Sequence, residues 1–169
     1  MEIRHTGEFL EISEIDPFLA ELLRQIPAST RTDDSEAAQN RLFSPPAGPD
    51  DEELRNEWKL YVEPGLRRLF ESATETVAAD LKMLDGDTKP FGNCTLRIPL
   101  QNSSAWLNAL NQARLAIATK FAFTDGELCD HYRSPIGSRR DLSLFQVNFY
   151  GFLQEFLLRE VQSSESGEG

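Results

Sequence analysis

Residues 103–123, SSAWLNALNQARLAIATKFAF, decide how the chain is read. Stepped at about 100° per residue from Trp106, the residues Ile117, Leu110, Phe121, Leu107 and Ala113 gather with it on one broad face, and Asn108, Gln112 and Thr119 gather opposite. No Gly or Pro interrupts the run, and Ala, Leu, Gln, Arg and Lys are good helix formers. Alanines at 109, 113, 116 and 118 let neighbours approach on several sides, which suits a central helix with a thin polar strip. Arg114 falls at about 80° on the same wheel, between Phe121 and Leu107, inside the apolar sector. Such a guanidinium either runs its stem along the core to a wet head or forms a buried bond to a carboxylate or to peptide carbonyls. Breaking a fully buried pair costs about 3–5 kcal/mol, and a structural strut is the ordinary reading of an arginine there.

Outward from this helix, the opening EIRHTGEFLEIS alternates around Thr6-Gly7 and predicts a hairpin. Asp16-Pro17 is a helix start, with Phe18, Leu19, Leu22, Leu23 and Ile26 at helical spacing and Pro27 ending the run. From Ala28 to Asp50 the composition turns to Ser, Thr, Asp and Pro, with Leu42 and Phe43 as apolar anchors; this predicts a mobile loop holding a helical turn or two around Glu36 to Leu42. Asp50 and Asp51 open an acidic helix with Leu54, Trp58 and Tyr61 on one side, and Glu63-Pro64 should break or kink it. Leu66, Leu69, Phe70, Ala73, Val77, Leu81 and Leu84 then keep helical spacing to Asp85-Gly86, with Arg67, Arg68, Glu71 and Glu75 outward.

Cys94 to Leu100 alternates as a strand whose natural partner is the N-terminal hairpin, with Pro99 placing it at an edge or ending it. Asn102, Ser103 or Ser104 is available to cap the central helix. Thr124-Asp125 closes it and opens a short helix from Gly126 to Tyr132. Ser138 to Asp141 fits a capping box, and in the last helix Phe145, Phe149, Phe152 and Phe156 form a stripe, read as a core face. Leu144, Val147, Leu158 and Val161 populate the other side, so that helix is either buried between elements or meets a partner chain. The expected architecture is mainly α: one domain over residues 1–162, a bundle of about five to six helices with a small antiparallel β element, and a disordered tail from 163 to 169.

The string WLNALNQARLAIATKFAFTD, followed by a terminal helix containing YGFLQEFLLREV, resembles a bacterial family known as domain of unknown function two thousand and seventeen. Its pattern runs roughly W-L-x-A-L-N-x-x-R-L-x-L-G-T, matched here by Trp106, Leu107, Ala109, Leu110, Asn111, Arg114, Leu115 and Thr119, with Ala118 where the family often has glycine. Ala28 to Pro49 departs from it. The resemblance implies no established activity; some members look to be encoded near the adaptor of the Clp protease and some carry the label of transcriptional regulator.

Composition narrows the function classes. With 169 residues, a net charge of −11 and an isoelectric point near 4.6, the overall balance argues against a nucleic-acid surface, which clustered Lys and Arg would drive, while a local basic patch stays open. Two cysteines, Cys94 and Cys129, make no disulfide scaffold, and neither a leader nor a membrane span is visible, so a cytoplasmic location is expected. There is no phosphate-cradling glycine loop, nucleophile elbow, paired-cysteine zinc pattern or His-Glu-x-x-His, and no cofactor is expected. Asp125, Glu127, Cys129, Asp130 and His131 are close in sequence, but a polar turn accounts for them better than a metal does. Arg133, Arg139 and Arg140 beside the last helix form an anion patch that ordinary surface charge also explains.

Three functions stay open. The first is a non-enzymatic protein acting through contact with another protein or with its own copy as a homodimer, by way of Leu144, Val147, Leu158 and Val161. The second is a regulator holding nucleic acid at Arg133 to Arg140. The third is a small enzyme with a pocket at Arg114, Asn111 and Trp106.

Overall fold

The computed structural model describes residues 1–45, 51–86, 94–129 and 136–166. It is mainly helical with one small antiparallel sheet, as the periodicities predict. Strands β1 (Glu2–Thr6) and β2 (Phe9–Ile15) pair Thr6 with Phe9 across a two-residue loop. Gly7 there has φ +61°, the conformation a two-residue hairpin loop reserves for glycine. The third strand, β3 (Cys94–Pro99), joins β2 from the other side with Leu10 opposite Ile98, and Pro99 ends it. Glu14 sits at φ 54° in an irregularity between Ile12 and Ile15. Residues three apart in a regular strand point to opposite faces; the extra residue lets both isoleucines turn inward, where both are buried.

Helix α1 (Pro17–Arg24) starts where Asp16 accepts the Leu19 N–H at 2.9 Å, and ends before α2 (Ile26–Ser29), whose first turn holds Pro27. The Ser- and Pro-rich segment contains α3 (Glu36–Phe43), capped by Ser35. It is packed more closely than its composition suggests, since Ala38 and Phe43 are buried. Asp51 caps α4 (Glu52–Glu57), which runs through a π turn (Trp58–Val62) directly into α5 (Glu63–Gly86). Glu63-Pro64 therefore does not interrupt the helical run: the wider turn makes room for the ring and absorbs the missing donor. The central helix α6 (Ser103–Lys120) follows a 3-10 turn at Leu100–Asn102. None of its expected caps acts as one. The Asn102 amide instead donates to Asp80 at 3.0 Å, and the Ser103 hydroxyl is buried without a partner.

At its other end α6 closes by a Schellman motif: Ala122, at φ 49°, donates to Thr119 O, and Phe123 donates to Ala118 O. Helix α7 (Asp125–Cys129) is capped by Thr124, and α8 (Arg139–Ser166) by Ser138, whose hydroxyl accepts the Asp141 N–H at 3.1 Å. Tyr132, Asp130 and His131 lie outside the described residues. Helix α8 continues to Ser166, past the expected end near residue 162, because extending a formed helix adds one hydrogen bond per residue fixed.

Helix α6 packs against α2, α3, α5 and α8. Its Trp106, Ala109, Leu110, Ala113 and Ala116 are fully buried, and the alanines let the four helices close in. One face of the sheet covers Trp106 and the α8 residues Leu153, Phe156 and Leu157 with Ile3, Leu10, Ile12 and Ile98. A buried polar knot ties α8 to the N-terminal helices: the Tyr150 hydroxyl donates to Leu22 O at 2.7 Å and accepts from Gln146 at 2.7 Å.

Candidate functional site

The sequence singles out Arg114, Asn111 and Trp106, and the fold sends them to three different places. Trp106 is 0% exposed, and its ring N–H donates to Asp80 on α5 at 2.8 Å, which makes it a core residue. Asn111 is exposed, so it does not share a pocket with Arg114. Arg114 is half-buried on the seam between α6 and α8. Its partner is neither a carboxylate nor a peptide carbonyl: Nη1 donates to the Gln154 side-chain oxygen at 2.6 Å, and the Gln154 amide donates in turn to Leu107 O at 3.1 Å. The guanidinium lies flat against Gly151, where a Cβ would come within 3.2 Å of its carbon. Burial pushes the Arg114 pKa down, and its Nε has no partner. The group is held by a neutral amide of α8, where the sequence suggested a carboxylate or peptide carbonyls.

This geometry couples two positions. Arg114→Ala removes a charge-assisted bond and should cost about 1.5–3 kcal/mol. Gly151→Ala should be destabilising or neutral in the wild type, because the guanidinium must move, yet in the Arg114→Ala background it should gain up to about 1 kcal/mol from helix propensity alone. A double-mutant cycle by urea unfolding checks this; additive single effects would show that the two side chains do not meet.

Arg140 donates to Phe121 O and to the Glu127 carboxylate, and its guanidinium lies 4.5 Å from the centre of the Phe123 ring. It is a structural clasp between the end of α6, α7 and α8. Arg139 is exposed, and Arg133 lies outside the described residues. Glu127 is committed to the Thr124 N–H and hydroxyl and to Arg140, which together hold its carboxyl below the usual range. Among the described residues no group of His, Cys, Asp and Glu could hold a metal, and Cys94 and Cys129 are free.

The face expected to meet a partner is also revised. Val147 is 2% exposed and belongs to the core, because it shares a helix side with Tyr150 and Leu153. Leu144 is partly buried, Leu158 is 47% exposed, and the Val161 side chain lies outside the described residues. Of the aromatic stripe, Phe149 is buried, Phe145 and Phe156 pack partly against the core, and Phe152 faces solvent.

Two features stand out that the periodicity did not reveal. One is the helical run from Glu52 to Val62. Neither α4 nor the π turn buries a residue, and Leu54, Leu60, Tyr61 and Val62 are all exposed, Leu60 at 66% and Tyr61 at 74%. Its anchor to the body is the Trp58 ring N–H, which donates to Phe43 O at 2.7 Å. The other is a cleft of about 570 Å³ between α2, α3, α5 and α6, with Gln112 in its wall. Gln112 was expected on the outer polar strip but is 3% exposed, since α2, α3 and α5 close over that side of α6. Arg67, expected outward, lies over the Phe43 ring at 4.0 Å and pairs with Glu63 at 2.7 Å on the rim of the same cleft.

The family model described as domain of unknown function (DUF2017) matches residues 4–161, almost the whole chain. The chain belongs to that family. Comparison with curated proteins and with solved structures gives no match. In this DUF2017 chain the family-like run of α6 therefore has a physical reading of its own. Trp106, Ala109 and Leu110 fill the core, Arg114 braces α8, and Ala118 and Thr119 supply the carbonyls that close the helix.

Proposed function

We propose that this protein is non-enzymatic and acts by contact with another protein, through the exposed run from Glu52 to Val62, in the cytoplasm of a bacterium. The single observation behind this reading is that eleven consecutive helical residues contribute none to the buried core while presenting Leu54, Leu60, Tyr61 and Val62 to solvent. Contiguous exposed apolar side chains mark interaction surfaces. The occupant is a partner carrying basic residues beside apolar ones. Asp51, Glu52, Glu53 and Glu57 outnumber Arg55 and Lys59 here, and a second copy of a chain of net charge −11 is disfavoured by repulsion. No helix among the described residues is long and apolar enough to cross a membrane.

Titration calorimetry with a designed Lys/Leu amphipathic helix, against a Glu/Leu helix of equal length, tests the reading. The basic peptide should bind and the acidic one should not. Replacing Leu60 and Tyr61 together by serine should weaken binding by about a hundredfold or more, since each loses roughly 1.5–3 kcal/mol of apolar burial, with the melting temperature unchanged. Equal binding by the double variant, or no binding at all, contradicts it. A dimer seen by light scattering that the same double substitution dissociates would assign the run to self-association instead.

A further inference from the structure

The cleft beside Gln112 has the size of a small-molecule site, with a lining more polar and charged than apolar. Its volume of about 570 Å³ lies within the roughly 300–1,000 Å³ of ligand pockets. The Gln112 side chain is 3% exposed, and its Nε2 has no hydrogen-bond partner, although a buried amide donor left unpaired costs free energy. A half-turn of the carboxamide exchanges its two ends, so that N–H can be presented to the cleft; what it lacks is an acceptor. The Thr30 and Thr74 hydroxyls beside it donate to the carbonyls of Pro27 and Phe70, and neither accepts from the Gln112 amide.

The rest of the lining specifies the remainder of the ligand. Phe43 and Phe70 make a tilted aromatic wall, with ring centres 5.7 Å apart. Three arginines and three carboxylates line the cleft, a balance that departs from the strongly acidic chain as a whole. A balanced lining disfavours a simple anion or a simple cation and accommodates a molecule that carries both charges. Arg31 is exposed beside the cleft, and Glu71 and Glu75 stand on α5 one turn apart.

We propose that this cleft binds a free amino acid with an apolar side chain. Its carboxylate accepts from the Gln112 amide and Arg31, its ammonium group meets Glu71 and Glu75, and its side chain lies on Phe43 and Phe70. The inference is independent of the peptide-binding reading above, since the Glu52–Val62 run forms no part of it.

Thermal melts and calorimetry of the full chain with L-phenylalanine and L-leucine provide the test, with phenylacetate and phenethylamine as partners that each lack one charge. The zwitterions should bind, and at ten times Kd should raise the melting temperature by about 3–6 °C. Each single-charge analogue should bind at least about tenfold more weakly. Gln112→Leu, which removes the orphan amide at nearly constant volume, and Arg31→Ala, on the surface, should each weaken L-phenylalanine by about tenfold. If Gln112→Leu fails to fold, Arg31→Ala carries the test alone. Absence of binding by any apolar amino acid at millimolar concentration overturns the proposal. So does binding indifferent to Arg31→Ala, or phenylacetate binding as tightly as L-phenylalanine.

Discussion

Trp106→Ala lowers the unfolding free energy by about 3–5 kcal/mol, the range for deleting a large aromatic side chain from a packed core. In a chain of this size that corresponds to a fall in melting temperature of about 6–20 °C. The magnitude follows from position: Trp106 is fully enclosed where α6 meets the sheet, α5 and α8, with Leu10, Ile12, Ile98, Leu153 and Leu157 around it. Asp80→Ala, which leaves the ring in place but strands its N–H, should cost less, about 1–3 kcal/mol. Leu60→Ala, on the exposed run, should stay within about 0.5 kcal/mol of wild type. Urea unfolding followed by circular dichroism gives all three, and the order Trp106, Asp80, Leu60 is the expected result.

Stability should fall steeply above pH 10. The Tyr150 hydroxyl is buried, and desolvation pushes its pKa up to about 12, only partly offset by hydrogen bonds from Gln146 and Ser29. In the unfolded chain a tyrosine titrates near 10. Between these values the unfolded state has lost the proton and the native state keeps it, so unfolding releases a proton and stability declines with pH. A separation of about two pH units corresponds to roughly 3 kcal/mol by pH 12. Below pH 10 the contribution is fully present and flat. Urea midpoints measured from pH 9 to 12 should show the decline, and Tyr150→Phe should remove most of it while costing about 1–3 kcal/mol at neutral pH, since Leu22 O and the Gln146 amide lose a partner.

The core was legible because period and propensity agree along α6, and because Asp16-Pro17, Gly7 and Pro99 are local signals whose meaning does not depend on what surrounds them. What was not legible depends on neighbours. Periodicity shows that the run from Leu54 to Tyr61 is amphipathic; it does not show whether anything covers the apolar side, and here Trp58 is partly covered while Leu54 and Tyr61 are exposed. It placed Gln112 on a polar strip, but α2, α3 and α5 close over that strip, turning a surface amide into a buried one. It placed Arg114 in the apolar sector without indicating a partner, because Gln154 is forty residues away on a helix whose rotation only packing decides. The same rotation moved Val147 from a supposed partner face into the core. Gly151 carried a usable signal: a glycine inside an otherwise apolar helix marks a close approach, and the approach is the Arg114 guanidinium.

The central claim is that α6, packed against α2, α3, α5 and α8, holds the molecule together. Native-state hydrogen exchange tests it most directly, because amides that open only with global unfolding identify the most stable unit. The amides of Ala109, Leu110, Ala113, Ala116 and Ile117 should be the slowest in the chain and should share the free energy of global unfolding, while those of Glu52 to Glu57 exchange orders of magnitude faster. Exchange from α6 through local openings, at rates comparable to α4, would contradict the account.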